Sequence, residues 1–350
     1  MAITRIIRHE AVGETLGLAM ADDTPAALFI DLWDEPQRLR ICDQVDARLE
    51  HRTPDGRAAF LSGPGGDALF MERAPHQSVS IGQSLPVRVV SEARREKSAR
   101  VVAAKPATGK PDGPFDAWRV GLACETGCTV ETTDDPTPIH DALDTALAPS
   151  ITLPGGGRLT IERTRALTAA DIDTAGRRDK GRAADRALIV NTAAALTLAQ
   201  HLSLRSLGGL VVLDCVSPIA PPHRLALKSA FLAAFKAWST RKIEALAPSP
   251  LGLMEIAAAW TERPIDEAFL NADGTAHPRS TLLGGLRLLE REARADRSAS
   301  LSLHLPESAY QLFLKRQETY VAALNDRYGA RLEVCAHNRP GPEVTHAKAP

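Results

Sequence analysis

Hydrophobic and polar positions divide the chain into stretches of different period. From about Leu39 to Val102 the pattern is short and alternating. RLRICDQVDARLEH alternates, TPDG reads as a turn, RAAFLS as a strand, GPGGD as a second turn and ALFME as a further strand; IGQSLPVRVVSEA and SARVVAA complete the series. Alternation puts every second side chain on one face. About five such strands with Gly/Pro turns between them predict a small antiparallel barrel.

Beyond the turn-rich GKPDGPFD and TTDDPTP the period lengthens. IHDALDTALA predicts a short amphipathic helix, ITLPGG and GRLTIERTRALTAADID predict strands, and the run from about Ala183 to Ser203 predicts a helix. The apolar run from Leu210 to Leu213, bounded by Gly208 and Gly209, has the signature of a buried central strand. PPHRLALKSAFLAAFKAWST, with proline at its start, predicts the next helix. Strand alternating with helix is an α/β pattern, in which functional groups collect at the carboxyl ends of strands.

Acids stand at two of those ends. ALTAADIDTAGRRD carries Asp171 and Asp173, which share a face in an extended chain, and then runs into Arg177 and Arg178. Asp214 closes the next strand. If the two strands are parallel neighbours, Asp171 and Asp214 reach the same edge of the sheet. Two carboxylates so placed can hold Mg2+ with several waters retained, and such an ion activates water for attack on a phosphoryl group. The plainer reading is a solvated strand end, an Asx turn or a helix cap.

Composition sharpens this little. With 350 residues, 44% apolar and 24% charged, the chain can bury a real core and has room for two or three domains. No run approaches the length of an uninterrupted apolar span, so no membrane span is expected, and the N-terminus lacks the long apolar core of a secretion signal. Cys42, Cys124, Cys128, Cys215 and Cys335 are scattered, which suits free thiols in a reducing cytoplasm. Cys124 and Cys128 have no second Cys/His pair nearby, so they make a poor zinc site. Net charge is −1, but Arg88, Arg94, Arg95, Lys97, Arg100, Lys105 and Lys110 outnumber Glu92 and Glu96 in one segment. That segment is either a solvated hairpin face or a phosphate-contacting edge. Phe60 and Phe70 lie on adjacent strand-like runs. They are either core residues or exposed rings that stack on bases.

Taken together, RLTIERTRALTAADIDTAGR and NTAAALTLAQHLSLRSLGGLVVLDC resemble the catalytic core of the ribonuclease E/G family. There, a strand ends in Asp-x-Asn followed by a small residue and arginine, and a Leu-Gly-Gly-aliphatic strand ends in a second Asp. HRLALKSAF and SPLGLMEI continue the likeness, AAFLSGPGGDALF resembles the family's RNA-binding barrel, and STLLGGLRLLEREA with LSLHLPESAYQLFL resembles its small C-terminal domain. The resemblance implies an α/β (α+β multidomain) chain: an RNase H-like region at 1–35 with 106–160, an inserted OB-type barrel at 36–105, a DNase I-like catalytic domain at 161–265, and a small C-terminal α/β domain at 275–350. It implies a cytoplasmic, Mg2+-dependent endoribonuclease of RNA processing or decay, leaving 5′-phosphate and 3′-hydroxyl ends on single-stranded RNA. Asp171 and Asp214 would be catalytic and hold the metal with Asp173, while Phe60, Phe70 and Lys97 would bind RNA.

The departures are specific. Asp173 replaces the family's Asn, adding charge and removing an amide donor. Pro250 and Leu251 stand where Arg-Phe is expected before Gly252. No Cys-Pro-x-Cys pair lies between about Pro264 and Ser280, so no structural zinc is expected, and the assembly is either a monomer or a packing-held homodimer. The family's Arg-Thr pair for a 5′-monophosphate has no match before Ile139; Arg163-Thr164 lies on the strand feeding the acidic site. The alternative is a non-catalytic RNA-binding protein on the same scaffold.

Overall fold

The computed structural model describes residues 2–95, 97–104 and 111–346. Lys105 and Lys110 of the basic segment, with Glu96, lie outside the described residues. The chain forms two compact units. The first comprises the opening residues through Ile7, Gly17–Phe29 and Gln37–Ile265; the second comprises Arg8–Leu16, Ile30–Pro36 and Asp266 onward.

The chain opens with β1 (Ile3–Ala11), β2 (Glu14–Ala21) and β3 (Thr24–Leu32). The barrel follows: β4 (Gln44–Arg52), β5 (Ala59–Ser62), β6 (Ala68–Met71), β7 (Ser84–Ser91) and β8 (Ala99–Ala103), closed in the order β4-β5-β6-β8-β7. Inward alternation fills it with Ala47, Leu49, Leu61, Leu69, Met71, Val87, Val89 and Val101. Two sequence expectations need correction. RLRICD is a loop and the strand begins at Gln44. The barrel is not wholly antiparallel, because β6 and β8 pair in parallel where closure brings non-consecutive strands together.

Next come α1 (Pro114–Val120), β9 (Cys124–Thr132) and α2 (Thr137–Leu147); β9 joins the opening strands in a sheet ordered β3-β2-β1-β9. β10 (Ser150–Thr152), β11 (Arg158–Arg163), β12 (Thr168–Asp173), α3 (Ala183–Leu204), β13 (Gly209–Asp214), α4 (Pro221–Trp238), β14 (Ile243–Ala245) and β15 (Leu253–Ala258) build the largest sheet, ordered β10-β11-β12-β13-β15-β14. β12 and β13 are parallel, joined through α3. Val190, Ala194, Leu198 and Leu202 make a helical stripe on α3, and Leu227, Phe231, Phe235 and Trp238 one on α4. Both stripes pack on Ala170, Ile172, Val211 and Leu213 in a core that also takes in Phe29, Phe115 and Trp118. By length and composition α3 could cross a membrane, which the sequence reading did not anticipate; 67% of its apolar window is buried in the protein, as in a core helix.

The second unit holds α5 (Asp266–Phe269), α6 (Pro278–Ala295), β16 (Leu301–Pro306), α7 (Glu307–Leu314), α8 (Gln317–Tyr328), β17 (Leu332–His337) and β18 (Glu343–His346). Its sheet runs β17-β16-β18, with Leu301, Leu303 and Leu305 buried. The buried Glu290 of α6 accepts from the Val12 amide at 3.0 Å and the Tyr328 hydroxyl at 3.0 Å.

Candidate active site and nucleic-acid interface

Register sets the acidic edge. β12 pairs with β13 through Thr168↔Val211, Ala169↔Val212 and Ala170↔Leu213. One step further in the same phase, Asp171 stands beside Asp214. Ala170, Ile172, Val211 and Leu213 face the helices, whereas Asp171, Asp173 and Asp214 are exposed on the opposite face. The antiparallel partners on either side add Thr160 opposite Asp171 and Leu253 opposite Asp214. Asp173 is engaged differently from the other two. Its Oδ1 accepts from the Ala175 amide at 2.8 Å, an Asx turn that ends the strand. Among the described residues no three His, Cys, Asp or Glu side chains are gathered as a metal-holding group. The donor set that register itself brings together is the pair Asp171 and Asp214.

Three devices hold that edge in place. Asn191, buried on α3, donates from Nδ2 to the Val216 carbonyl at 2.9 Å and accepts from the Val216 amide at 2.8 Å, which fixes the chain just after Asp214. Gly252 has φ +95°, and a Cβ there would lie 3.1 Å from the Cys215 carbonyl and 4.0 Å from Asp214 Oδ1. Arg177, which follows the acids of ADIDTAGRRD, is the third device. Its nearly buried guanidinium donates to the Pro154 and Gly156 carbonyls at 3.0 and 2.6 Å and pairs with Asp179 at 2.6 Å. It therefore braces the β10–β11 turn against the loop leaving β12. Gly157 makes the approach possible, since a Cβ there would meet the Asp173 carbonyl at 2.6 Å. Arg178, Lys180 and Arg182 of the same loop are exposed.

Nearby titratable groups are structural. Burial, with the Asp214 charge second, pushes the Cys215 thiol up to about 12, so it stays protonated beside the acidic edge. Burial, then the Arg205 cation, lowers His201 to about 3; its Nδ1 accepts from Arg205 Nε at 2.9 Å. Arg163 ends β11 and Thr164 begins the turn to β12, its Oγ1 donating to the Leu167 carbonyl at 2.8 Å. Pro250 and Leu251 occupy the tight turn before β15, where the Ser249 carbonyl accepts from the Gly252 amide at 3.0 Å and Leu251 is 84% exposed.

On the barrel, Phe60 and Phe70 are direct cross-strand partners on β5 and β6, their ring centroids 5.2 Å apart. Phe60 is 37% exposed and Phe70 half-buried, so neither belongs to the barrel core. Lys97 is exposed in the turn between β7 and β8, where Arg94 and Lys97 bridge through their backbones. Arg100, not Lys97, is the strand neighbour of Phe70, and it pairs with Glu72 at 2.6 Å. The barrel is anchored at one end. The Glu92 carboxylate accepts from Arg38, from the Ile41 amide at 3.3 Å and from the Arg263 amide at 3.0 Å, while Arg94 lies 4.2 Å over the Trp260 ring. Neither Asn191 nor His51, which stacks on Phe60, was singled out from sequence. A buried Asn at a helical core position is a signal that could have found the first.

Comparison with known proteins places residues 130–260 in a match to the Ribonuclease E/G family. That span contains every strand of the acidic sheet and excludes the barrel. Ribonuclease E of Escherichia coli (strain K12) is 28% identical over 196 residues, 54% of this chain and 18% of that protein. Ribonuclease E of Haemophilus influenzae is 28% identical over 203 residues, 56% of this chain and 22% of that protein. Ribonuclease G of Salmonella typhimurium is 30% identical over 145 residues, 41% of this chain and 29% of that protein. The matched part of the chain thus spans less than a third of the length of each of these relatives.

Proposed function

We propose that this chain, whose residues 130–260 match the ribonuclease E/G family, is an endoribonuclease cutting single-stranded RNA at the edge that carries Asp171 and Asp214. The observation that supports this most is the parallel pairing of β12 with β13, which brings two exposed carboxylates from separate strands to one sheet edge. This donor set suits Mg2+, a hard cation that takes one or two protein carboxylates and keeps several waters. When bound, the ion would supply a polarised water and offset negative charge on the phosphate oxygens. Asp171 and Asp214 would hold it, and Asp173 would contribute charge from the adjoining Asx turn.

The chain's own groups do the positioning. Asn191 and Gly252 set the path of the backbone around Asp214, and Arg177 sets it beyond Asp173. Arg178, Lys180 and Arg182 offer exposed cations to the RNA backbone on the loop leaving β12. On the barrel, Phe60 and Phe70 stack bases and Lys97 meets phosphate. The products are 5′-phosphate and 3′-hydroxyl ends, in RNA processing or decay. One observation favours a second reading, RNA binding without cleavage: Asp173 puts a negative charge near the incoming phosphate.

Incubating a 5′-labelled single-stranded RNA with the chain, with and without Mg2+, separates the two. The enzyme yields fragments only with the metal, and their 3′ ends are open to periodate oxidation. RNA that is retained by the protein but stays intact at every Mg2+ concentration would establish the binder instead.

A further inference from the structure

Strict alternation on β4 would bury His51. Ala47 and Leu49 both face the barrel core, and His51 is next in that phase. The register breaks between them. Leu49 pairs with Leu61, but His51 pairs with Phe60, leaving Glu50 as the extra residue of a β-bulge. A bulge reverses the phase of every residue beyond it and re-aims a side chain. Here it turns His51 to the exposed surface, where its ring stacks on Phe60 with centroids 4.6 Å apart and planes 17° apart. Phe60 in turn meets Phe70 at 5.2 Å and 55°. Three rings from β4, β5 and β6 thus form one column outside the barrel.

We propose that His51 is a third base-stacking residue, the outer ring of the column formed with Phe60 and Phe70. The inference rests on the reading of this barrel face as the site for single-stranded RNA. Phe60 has one face covered by His51, so a base extending the column on that side meets the imidazole. A flat ring takes any base by stacking, and its rim nitrogens can also meet a base edge or phosphate. The competing role is cross-strand packing alone, in which the His51–Phe60 pair does no more than strengthen the barrel wall.

Fluorescence anisotropy of a labelled single-stranded RNA oligonucleotide on the full chain separates these roles. Chelator is present throughout, so cleavage does not contribute. His51→Ala is expected to raise Kd by about five- to a hundredfold, and His51→Phe to stay within about threefold of wild type. The dependence of log Kd on log salt should be unchanged in both, because a stacking contact releases no counterion. Phe60→Ala is the reference. If it weakens binding while His51→Ala binds as wild type does, the role of His51 is packing and the inference fails alone. If neither changes Kd, the barrel reading fails with it. A loss in His51→Phe as large as in His51→Ala would also overturn base stacking as the role of His51.

Discussion

At Asp173 local structure requires an acceptor oxygen but not the negative charge. Its Oδ1 ends β12 by accepting from the Ala175 amide, and an Asn carbonyl could do the same. Asp173→Asn should therefore fold normally while removing one negative charge from the approach of the phosphate. Cleavage rate at low Mg2+ is expected to rise; a strong loss would make Asp173 a direct ligand of the ion. The Asp171–Asp214 edge was legible in the sequence because alternation and a parallel connection suffice to place both. Arg177 and His51 were not. The partners of Arg177 are carbonyls of a distant turn, at Pro154 and Gly156. The exposure of His51 depends on a bulge at Glu50, which no period in RLEHRTPDG announces.

At the level of elements, α3 joins the acidic edge to the rest of the core, and its C-terminal turn carries a pH-sensitive contact. His201 Nδ1 must be unprotonated to accept from Arg205, whose guanidinium also donates to the Ala148 carbonyl at 2.8 Å. Folding lowers this imidazole from 6.5 to about 3, so between those values the unfolded chain binds the extra proton. Stability therefore falls as pH drops, by up to about 1.4 kcal/mol per unit. Urea titrations at pH 6.5 and 5 should differ by about 1.6 kcal/mol, and His201→Gln should flatten that difference. An equal slope in the variant would assign it to other groups. The helices were legible because Leu227, Phe231 and Phe235 carry a clean period; the apolar run before Asp214 gave the central place of β13 but not its burial, since Val211 and Leu213 are buried while Leu210 is exposed. The parallel β6–β8 seam was not, because closure of a barrel is set by the whole sheet.

For the whole molecule, the segment at which the family resemblance predicts a cysteine pair is closed by its own contacts. Asn271 Nδ2 donates to Thr275 Oγ1 at 3.0 Å, and the Thr275 amide donates to Asp273 Oδ1 at 2.9 Å. His277 caps α6, its Nδ1 accepting from the Arg279 amide at 3.1 Å, and burial followed by the Arg279 charge lowers its pKa. Elemental analysis of the purified chain is expected to find no stoichiometric zinc, and its mass by light scattering should be the same before and after chelator. A chelator-sensitive dimer would require ligands outside this segment. The division into two units was not legible, since Arg8–Leu16 and Ile30–Pro36 group with residues far along the chain. Such pairings depend on tertiary packing that local period does not encode.

The most direct test is Mg2+-dependent cleavage of single-stranded RNA by wild type, Asp171→Asn and Asp214→Asn, with RNA binding measured alongside. Each substitution removes one charged ligand from a site with few. Cleavage should fall at least about a hundredfold in both variants while binding is retained. Cleavage at the wild-type rate in both variants would contradict the assignment of this edge as the catalytic site.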